Sequence, residues 1–523
     1  MDDLNTQVAI VGGGPVGLGL AIDLGQRGIS AVVIEKEARL HTIPKGQNLT
    51  QRTMEHFRAW GVEAAVRAAR LMPAGYPSVG INSYGDLMSS YAHPWFRRSQ
   101  VGKYYFTTND RLPQYLTERV LRDRLMRIPE VTTIYGQAAQ VVQPNESGVL
   151  VGGEKVSIRA EYVVGCDGSR SMVRAEVGIT EQLSDHDRKM VLVVFRSKEL
   201  HRILEERFGQ AAFFNVLHPD LDGYWRFLGR VDVGESWFFH APAPSDAIAE
   251  TFDYEALISA TVGSDIRVEL EYIGFWDLRV AIADTYQAGR VFIAGDAAHS
   301  HPPYGGYGIN TGLEDIRNLG WKLSAVLQGW GGEDLLASYT TERRPVFVST
   351  ARDFIEAFIN QDREFIEGND PRIDESSFAE AWDRRSSGSN LGVSDFEPHY
   401  EGSPIVFGPM GGLSGAVGSH SFSARSGHHL PARALSSGDD LFEELGDGFT
   451  LVGSTSATTD VDAFRVSAKS IGVPLTILLD DFQGELADYD TDLILVRPDH
   501  FISWVNDGSS YDSQAVLSRS VGL

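Results

Sequence analysis

Three short stretches carry the residue types that cofactor chemistry needs. Residues 12–17 read GGGPVG, a GxGxxG turn, and Glu35 follows roughly twenty residues on. Residues 165–171 read GCDGSRS, and residues 295–308 read GDAAHSHPPYGGYG. In the first turn Gly12 permits a tight bend, Gly14 beside Pro15 lets the backbone approach a pyrophosphate, and Gly17 lets a helix sit close to a strand. Glu35 stands where a carboxylate binds a ribose hydroxyl. An acid at that position suits an unphosphorylated adenosine ribose, so FAD or NAD and not NADP at this turn. The other two stretches each set a carboxylate, Asp167 and Asp296, after an apolar run. Each alone is an ordinary turn. Together the three are suited to closing on one extended dinucleotide.

The elements around these turns are those of an α/β sheet. Residues 7–11, 31–34, 160–164 and 290–294 are short apolar runs that read as buried strands, and ligands of such sheets bind at the strands' carboxyl ends. Residues 18–27 read as the helix that completes a βαβ unit. Residues 309–328 read as a second helix, with Ile309, Leu313, Ile316, Leu319, Leu323 and Val326 on one face. Its free N–H groups and positive dipole end face the loop 302–306 and favour an electron-rich ligand edge, such as a reduced flavin. A third helix, 114–126, opens on Gln114, which either caps it or meets a phosphate or ribityl chain.

Between these segments the pattern changes. Residues 72–102 are irregular, with Trp95 and Phe96, and read as an excursion from the nucleotide unit. From 189 to 277 aromatic residues alternate in runs at 190–196, 211–217, 224–231, 236–240 and 267–275, the pattern of an antiparallel sheet that covers a ligand. His218, Tyr224, Arg226, Trp237, His240 and Trp276 are its candidate pocket residues. A polar stretch at 371–395 reads as a linker, and the residues after it form a unit of their own with strands at 449–452, 475–479, 493–496 and 501–504.

Composition narrows the class. The chain of 523 residues is too long for one core. Its 46 basic and 71 acidic side chains give a net charge of -25, which argues against nucleic acid and anionic membranes as partners. The single cysteine, Cys166, excludes an intramolecular disulfide, a CxxC pair and a cysteine metal cluster, and it suits a reducing cytoplasm. No metal site is expected. No run approaches the roughly 18 apolar residues of a membrane span.

Three motifs in this order, GGGPVG at 12–17, CDGSRSMVR at 166–174 and GDAAHSHPPYGGYGINTGLEDIRNLGWKL at 295–323, resemble the FAD-dependent aromatic hydroxylases over about residues 5–350. These are the group A flavin monooxygenases with the p-hydroxybenzoate hydroxylase fold. EGSPIV at 401–406, GFTLV at 448–452 and ILVRPDHFISW at 494–504 resemble the thioredoxin-like domain of the phenol hydroxylase branch. Without a CxxC that unit is expected to serve packing or dimerisation.

The resemblance implies an α/β fold. A Rossmann-like FAD-binding domain would span 1–76, 103–188 and 282–395, the last segment with a helical linker. An inserted antiparallel substrate domain would span 77–102 and 189–281, and a thioredoxin-like domain 396–523. It implies FAD pyrophosphate at Gly12, Gly14, Pro15 and Gly17, adenosine ribose on Glu35, the ribityl chain on Asp296, and Gly308, Ile309 and Asn310 against the flavin pyrimidine edge. Gln114 and Asp167 would also touch FAD, with Arg170 near a phosphate. NADPH or NADH would bind transiently in the same groove. Two positions depart from the pattern: Lys45 replaces an arginine that usually meets FAD, and Tyr307 replaces a glutamine. Gln47, Arg226, Trp237, Pro302 and Tyr304 are the expected substrate contacts, with His218, Tyr224 or His240 as the group that activates a phenol. The implied reaction is hydroxylation of a phenolic ring by NAD(P)H and O2 through a C4a-hydroperoxyflavin. The rivals are epoxidation or Baeyer–Villiger oxidation of a polyketide-like substrate, and a non-catalytic FAD-binding protein.

Overall fold

The runs that the sequence marks as buried assemble into the parallel part of an eight-stranded sheet. In the computed structural model, which describes residues 2–76, 79–249, 252–388, 391–482 and 489–523, its strands are β1 (Asp2–Val11), β2 (Ala31–Glu35), β3 (Val131–Tyr135), β4 (Val156–Gly165) and β5 (Val291–Ile293). They lie in the order β5-β4-β1-β2-β3, every neighbouring pair parallel. Helix α1 (Pro15–Gln26) crosses from β1 to β2, with Pro15 at its first position, where a missing N–H costs nothing. Helix α2 (Gln114–Leu125) packs on α1. Register does the rest: Val11 pairs with Gly165 and Gly165 with Ile293, so the three turns leave the sheet side by side.

A second sheet covers that end. Its eight strands run in the order His299–Ser300, Glu269–Ala283, Glu181–Arg196, Ser236–Ala243, Trp225–Arg230, Phe213–Leu217, Gly80–Tyr84 and Ala92–Trp95. The expected antiparallel pairing holds at every junction but one. Phe213–Leu217 and Gly80–Tyr84 are parallel, because the second strand arrives from the nucleotide unit and not through a hairpin. Strands Glu181–Arg196 and Glu269–Ala283 run unbroken across residues 188–189 and 281–282, so the change of pattern there marks new surroundings and not a break in the chain. The stretch 189–277 also contains two helices, Lys198–Phe208 and Tyr254–Val262, whose starts are set by Ser197 and Asp253 accepting backbone N–H bonds. They bury Leu200, Leu204, Ile258 and Val262 against Val191, Val193, Phe195, Trp237 and Phe239. One face of the sheet is thereby closed and the other is left for the cavity.

The stretch 371–395, read as a linker, holds the helix Glu375–Gly388, whose Phe378 and Trp382 pack on Tyr84 and Tyr91 of the covering sheet. Beyond it a four-stranded sheet has the order Leu475–Leu479, Phe449–Gly453, Leu493–Val496, Ile502–Val505. Helix Thr458–Ile471 joins its parallel pair, the other two pairs are antiparallel and the second of them is a hairpin, and helix Ser513–Ser520 follows. His428 lies between Glu397 and Glu401, at 3.0 and 2.9 Å, and fastens the segment that leads into this unit. Among the described residues no helix is long and apolar enough to cross a membrane.

Helices α3 (Gly308–Leu327) and α4 (Glu333–Ser349) join these units. The apolar stripe of α3 is in the core, but its polar side is buried as well. Lys322 and Asn318 donate to Glu342 Oε2 of α4, each at 2.6 Å, and Arg497 donates to both Glu342 oxygens at 2.7 and 3.0 Å. Arg497 also meets Asp499, which accepts from Trp321 at 3.1 Å. Burial opposes ionisation of Glu342, but Arg497 and Lys322 more than offset it and hold its carboxyl well below the usual range. Glu342→Leu strands the buried Lys322 cation and leaves Arg497 with Asp499 alone, and the expected loss is ~3–5 kcal/mol in a denaturation midpoint. A loss under ~1 kcal/mol would show that the network is not what joins the units. The sign with pH follows: this contribution is complete above the unfolded carboxylate pKa of about 4.3 and is lost as pH falls through the folded value.

Candidate active site

A cavity of about 410 Å³ lies where the ends of β1, β4 and β5 meet the open face of the covering sheet. Its nucleotide side is built by contact between turns. A side chain at Gly12 would place Cβ 2.2 Å from the Cys166 carbonyl oxygen, so only glycine lets the first two turns touch. Gly14 is different. A Cβ there would meet nothing within 4 Å, and the residue faces the cavity, so the space is free for a ligand. Glu35 does not line the cavity; it stands against the first turn, with Oε2 accepting from Gly13 N at 2.5 Å and Oε1 from Glu37 N at 2.8 Å.

The second turn uses its carboxylate inwardly. Asp167 accepts from Ser171 Oγ at 2.5 Å and Val173 N at 3.1 Å, and it is Cys166 and Gly168 that line the cavity. Arg170 is exposed, whereas Arg174 donates to the Ala297 carbonyl at 2.7 Å and ties the second turn to the third. In the third turn Asp315 of α3 accepts from Gly295 N at 3.0 Å and from Arg343 Nε at 2.8 Å, and lies 2.6 Å from His299 Nε2. That leaves Asp296 pointing into the groove. Its side chain is exposed to the groove, where partial desolvation by the surrounding walls pushes the carboxyl above the ordinary range, with His299 and Lys45 partly offsetting.

Gly308 and Ile309 at the start of α3, Lys45, Gln47 and Gln114 also line the cavity. Both amide atoms of Gln47 are buried without a protein partner, and Gln114 Nε2 donates to Glu118 at 2.8 Å. Asn310 does not face the cavity. Its side chain accepts from Thr50 N and Thr53 Oγ1 and donates to the carbonyls of Asn48 and Gly306, clamping two loops together. Tyr307 turns the other way and packs on Phe396 at 4.5 Å between ring centroids. The open space at Gly14, the projecting Asp296 carboxylate, the unpartnered Gln47 amide and the helix amino end together fit FAD.

The other half of the cavity is aromatic: Trp95, Phe96, Phe213, Phe227, Phe238 and His240, with Pro303 from the loop. Strand alternation decides which side chains enter. Phe238 and His240 point in, so Trp237 points out; it lies in the back cluster and donates Nε1 to the Ser197 carbonyl at 3.0 Å. Phe227 points in, and its neighbour Arg226 does not line the cavity. His218 accepts from Asp220 N at 3.2 Å at a short helical turn outside the cavity, and Tyr224 is buried in the core shared with the helices. Trp276 shares the His240 face of the sheet and touches that ring edge-on, but it does not line the cavity. Pro302 is buried, its carbonyl 2.5 Å from His301 Nδ1, and Pro303 takes its place in the wall. The Tyr304 side chain lies outside the described residues.

Sequence reasoning passed over Phe213, Phe227, Phe238, His301, Arg98 and Arg111. Period 2 counted back from His240 finds Phe238; the two arginines carry no such signal. Burial pushes His240 down to about 4 and leaves its Nδ1 without a partner. His301 is likewise pushed down to about 4, and its buried Nε2 is unpartnered.

Comparison with known proteins shows the family. The family model described as FAD binding domain matches residues 5–353. The chain is 30% identical to a 4-methyl-5-nitrocatechol 5-monooxygenase of Burkholderia sp, covering 99% of this chain and 97% of that protein. It is 28% identical to the tetracenomycin A2 monooxygenase-dioxygenase of Streptomyces glaucescens over 95% and 92% of the two chains. Among solved structures it superposes on the rebeccamycin biosynthetic enzyme RebC with reduced flavin, with a TM-score of 0.84 and 26% identity over the whole of both chains.

The two glycines of the first turn should separate folding from cofactor binding. Gly14→Ala is expected to leave the melting temperature of the FAD-free protein unchanged while FAD binds at least ~10-fold more weakly, about 1.4 kcal/mol. Gly12→Ala is expected to destabilise the FAD-free protein itself. Unchanged FAD affinity in the first variant, read by fluorescence titration, would remove Gly14 from the binding groove.

Proposed function

Since the chain belongs to the group A FAD-dependent aromatic hydroxylases, as a FAD-dependent monooxygenase, we propose that it hydroxylates a planar phenolic or polyketide-like ring held against the aromatic wall. The observation that carries this is the continuity of one cavity, with a cofactor groove at one end and Trp95, Phe213, Phe227 and Phe238 at the other. The names of two relatives, a nitrocatechol monooxygenase and a tetracenomycin monooxygenase-dioxygenase, support an aromatic or polycyclic substrate. When bound, FAD supplies the redox chemistry, taking electrons from NADH or NADPH and delivering one atom of O2 to the ring while the other leaves as water.

The chain's own residues bind, orient and keep water out. In this reading Gly12, Gly14, Pro15 and Gly17 hold the pyrophosphate, Glu35 the adenosine ribose, and Asp296 the ribityl chain. Lys45, Gln47, Gln114, Gly308 and Ile309 face the ring system, and Asn310 acts as a positioning residue through the loops it clamps. Asp167 shapes its turn through Ser171 and Val173. His240, neutral at physiological pH because of its burial, accepts a hydrogen bond from a substrate hydroxyl. The aromatic wall excludes water from the site of oxygen transfer.

The domain division follows the same reading: FAD-binding segments at 1–76, 103–188 and 282–395, a covering substrate domain at 77–102 and 189–281, and a thioredoxin-like unit at 396–523. The βαβ–hairpin–helix order of the last unit supports that assignment, and the lone cysteine leaves it without the CxxC pair of disulfide chemistry.

The test uses the FAD-loaded protein and a panel of phenols. Members of the panel should accelerate NADH or NADPH oxidation and give products heavier by one oxygen atom. A panel that does neither would sink the proposal. His240→Phe should keep FAD bound and slow product formation by up to ~10-fold, the range of one hydrogen bond of about 1.4 kcal/mol, and an unchanged rate would take His240 out of substrate binding.

A further inference from the structure

Several cations inside this protein meet buried carboxylates. Arg52 pairs with Glu314, Arg317 with Asp23, Lys322 and Arg497 with Glu342, and Arg343 with Asp315. Arg111, like Arg98 and Arg230, has no carboxylate in ion-pair range among the described residues. It is only 4% exposed, its guanidinium lies 5.1 Å over the Phe213 ring in the cavity wall, and its buried Nε has no partner. The adjacent carboxylate is already used. Asp110 accepts from Arg67 at 3.0 Å, Arg70 at 2.6 Å and the Arg111 backbone N–H at 2.8 Å.

Nor is the side chain free to leave. Arg111 pairs with Asn48 in a short bridge, and Leu112 N donates to the Gln47 carbonyl at 2.9 Å, which pins the backbone beside the cavity. The charged group acting on it is another cation, Arg98, which lines the same cavity and donates Nη2 to the Gly305 carbonyl at 2.9 Å. Burial, followed by the like charge of Arg98, pushes Arg111 down to about 10. Two guanidiniums in a desolvated wall, with no carboxylate among the described residues to neutralise Arg111, leave a place for one negative charge.

We propose that Arg111 binds an ionised acidic group on the substrate, so that the ring this enzyme takes carries a carboxylate or an acidic phenol. The inference rests on the reading that the aromatic end of the cavity holds the substrate. Guanidinium geometry suits it, since a planar fork matches a carboxylate and stacks on an aromatic face. It also answers a need of the chemistry. The imidazoles in the cavity are too weakly basic to strip a proton from an ordinary phenol, and a substrate that arrives ionised beside a fixed cation does not require them to.

Calorimetric titration of the FAD-loaded protein, without NADH or NADPH, tests this with two matched pairs: 2,4-dihydroxybenzoate against resorcinol, and 4-nitrophenol against phenol at a pH where only the nitrophenol is ionised. The wild-type protein should bind the charged member of at least one pair ten-fold or more tightly, and which pair responds separates carboxylate from phenolate. Arg111→Met should abolish that preference while leaving the neutral probe's Kd and the FAD content unchanged, and Arg111→Lys should restore part of it. Equal binding of charged and neutral probes by the wild type overturns the inference, and that comparison needs no variant to fold. So does an Arg111→Met protein that weakens both probes alike or releases FAD, which would assign Arg111 to the cofactor. Arg111-dependent binding without hydroxylation of any phenol would sink the proposed function and leave this inference standing; hydroxylation without charge preference would do the reverse.

Discussion

One buried carboxylate, Asp315, holds the site together. It is fully buried and engages three groups from three places: the Gly295 backbone N–H, the His299 imidazole and the Arg343 guanidinium. The first two fix the turn that follows β5, so Asp296 has nowhere to point but the groove. The third reaches α4, and Arg343 continues to the Thr311 carbonyl and the Tyr400 hydroxyl. Burial opposes the charge on Asp315, yet His299 and Arg343 hold its carboxyl below the ordinary range. A charge buried this deeply is tolerated because each of its partners is also a strut.

The same logic runs along α3. An amphipathic helix ordinarily gives its polar face to water. Here Glu314, Asp315, Arg317, Asn318 and Lys322 are all buried, each against a charge or carbonyl from another part of the chain. Arg317 donates to Asp23 of α1 at 2.5 Å and to the Pro498 carbonyl at 2.7 Å, so one side chain spans the cofactor unit and the C-terminal unit. Networks of this kind are weak contributors to net stability but severe when half removed, and that favours a single register between the units. The amino end of α3 is thereby held still against the groove it faces.

The covering sheet contributes through its two faces. Helices Lys198–Phe208 and Tyr254–Val262 close the back, and alternation then delivers Phe213, Phe227, Phe238 and His240 to the front. The resulting wall is aromatic, apolar and nearly without hydrogen-bond donors, apart from the guanidiniums at its margin. A ring held there is shielded from water, and the few polar groups decide which ring it is.

The sequence by itself determined the nucleotide half. Glycines at 12, 14 and 17, acids at 35 and 296, and apolar runs before each turn are local signals, because a tight turn, a strand and a helix start depend on neighbours a few residues away. Parity also lay in the sequence, since Trp237 and His240 stand on opposite faces of any strand that holds both. What only the tertiary structure decided depends on contacts between distant segments. Asp167 and Asn310 turn their side chains to the protein because Ser171 in one case and Thr50 with Gly306 in the other reach them first. The helices behind the covering sheet choose which of its faces is the wall. Arg111 is isolated because the nearest acid, Asp110, is taken by arginines some 40 residues earlier in the chain. A missing counter-ion is a property of three-dimensional surroundings, and no spacing in one dimension records it.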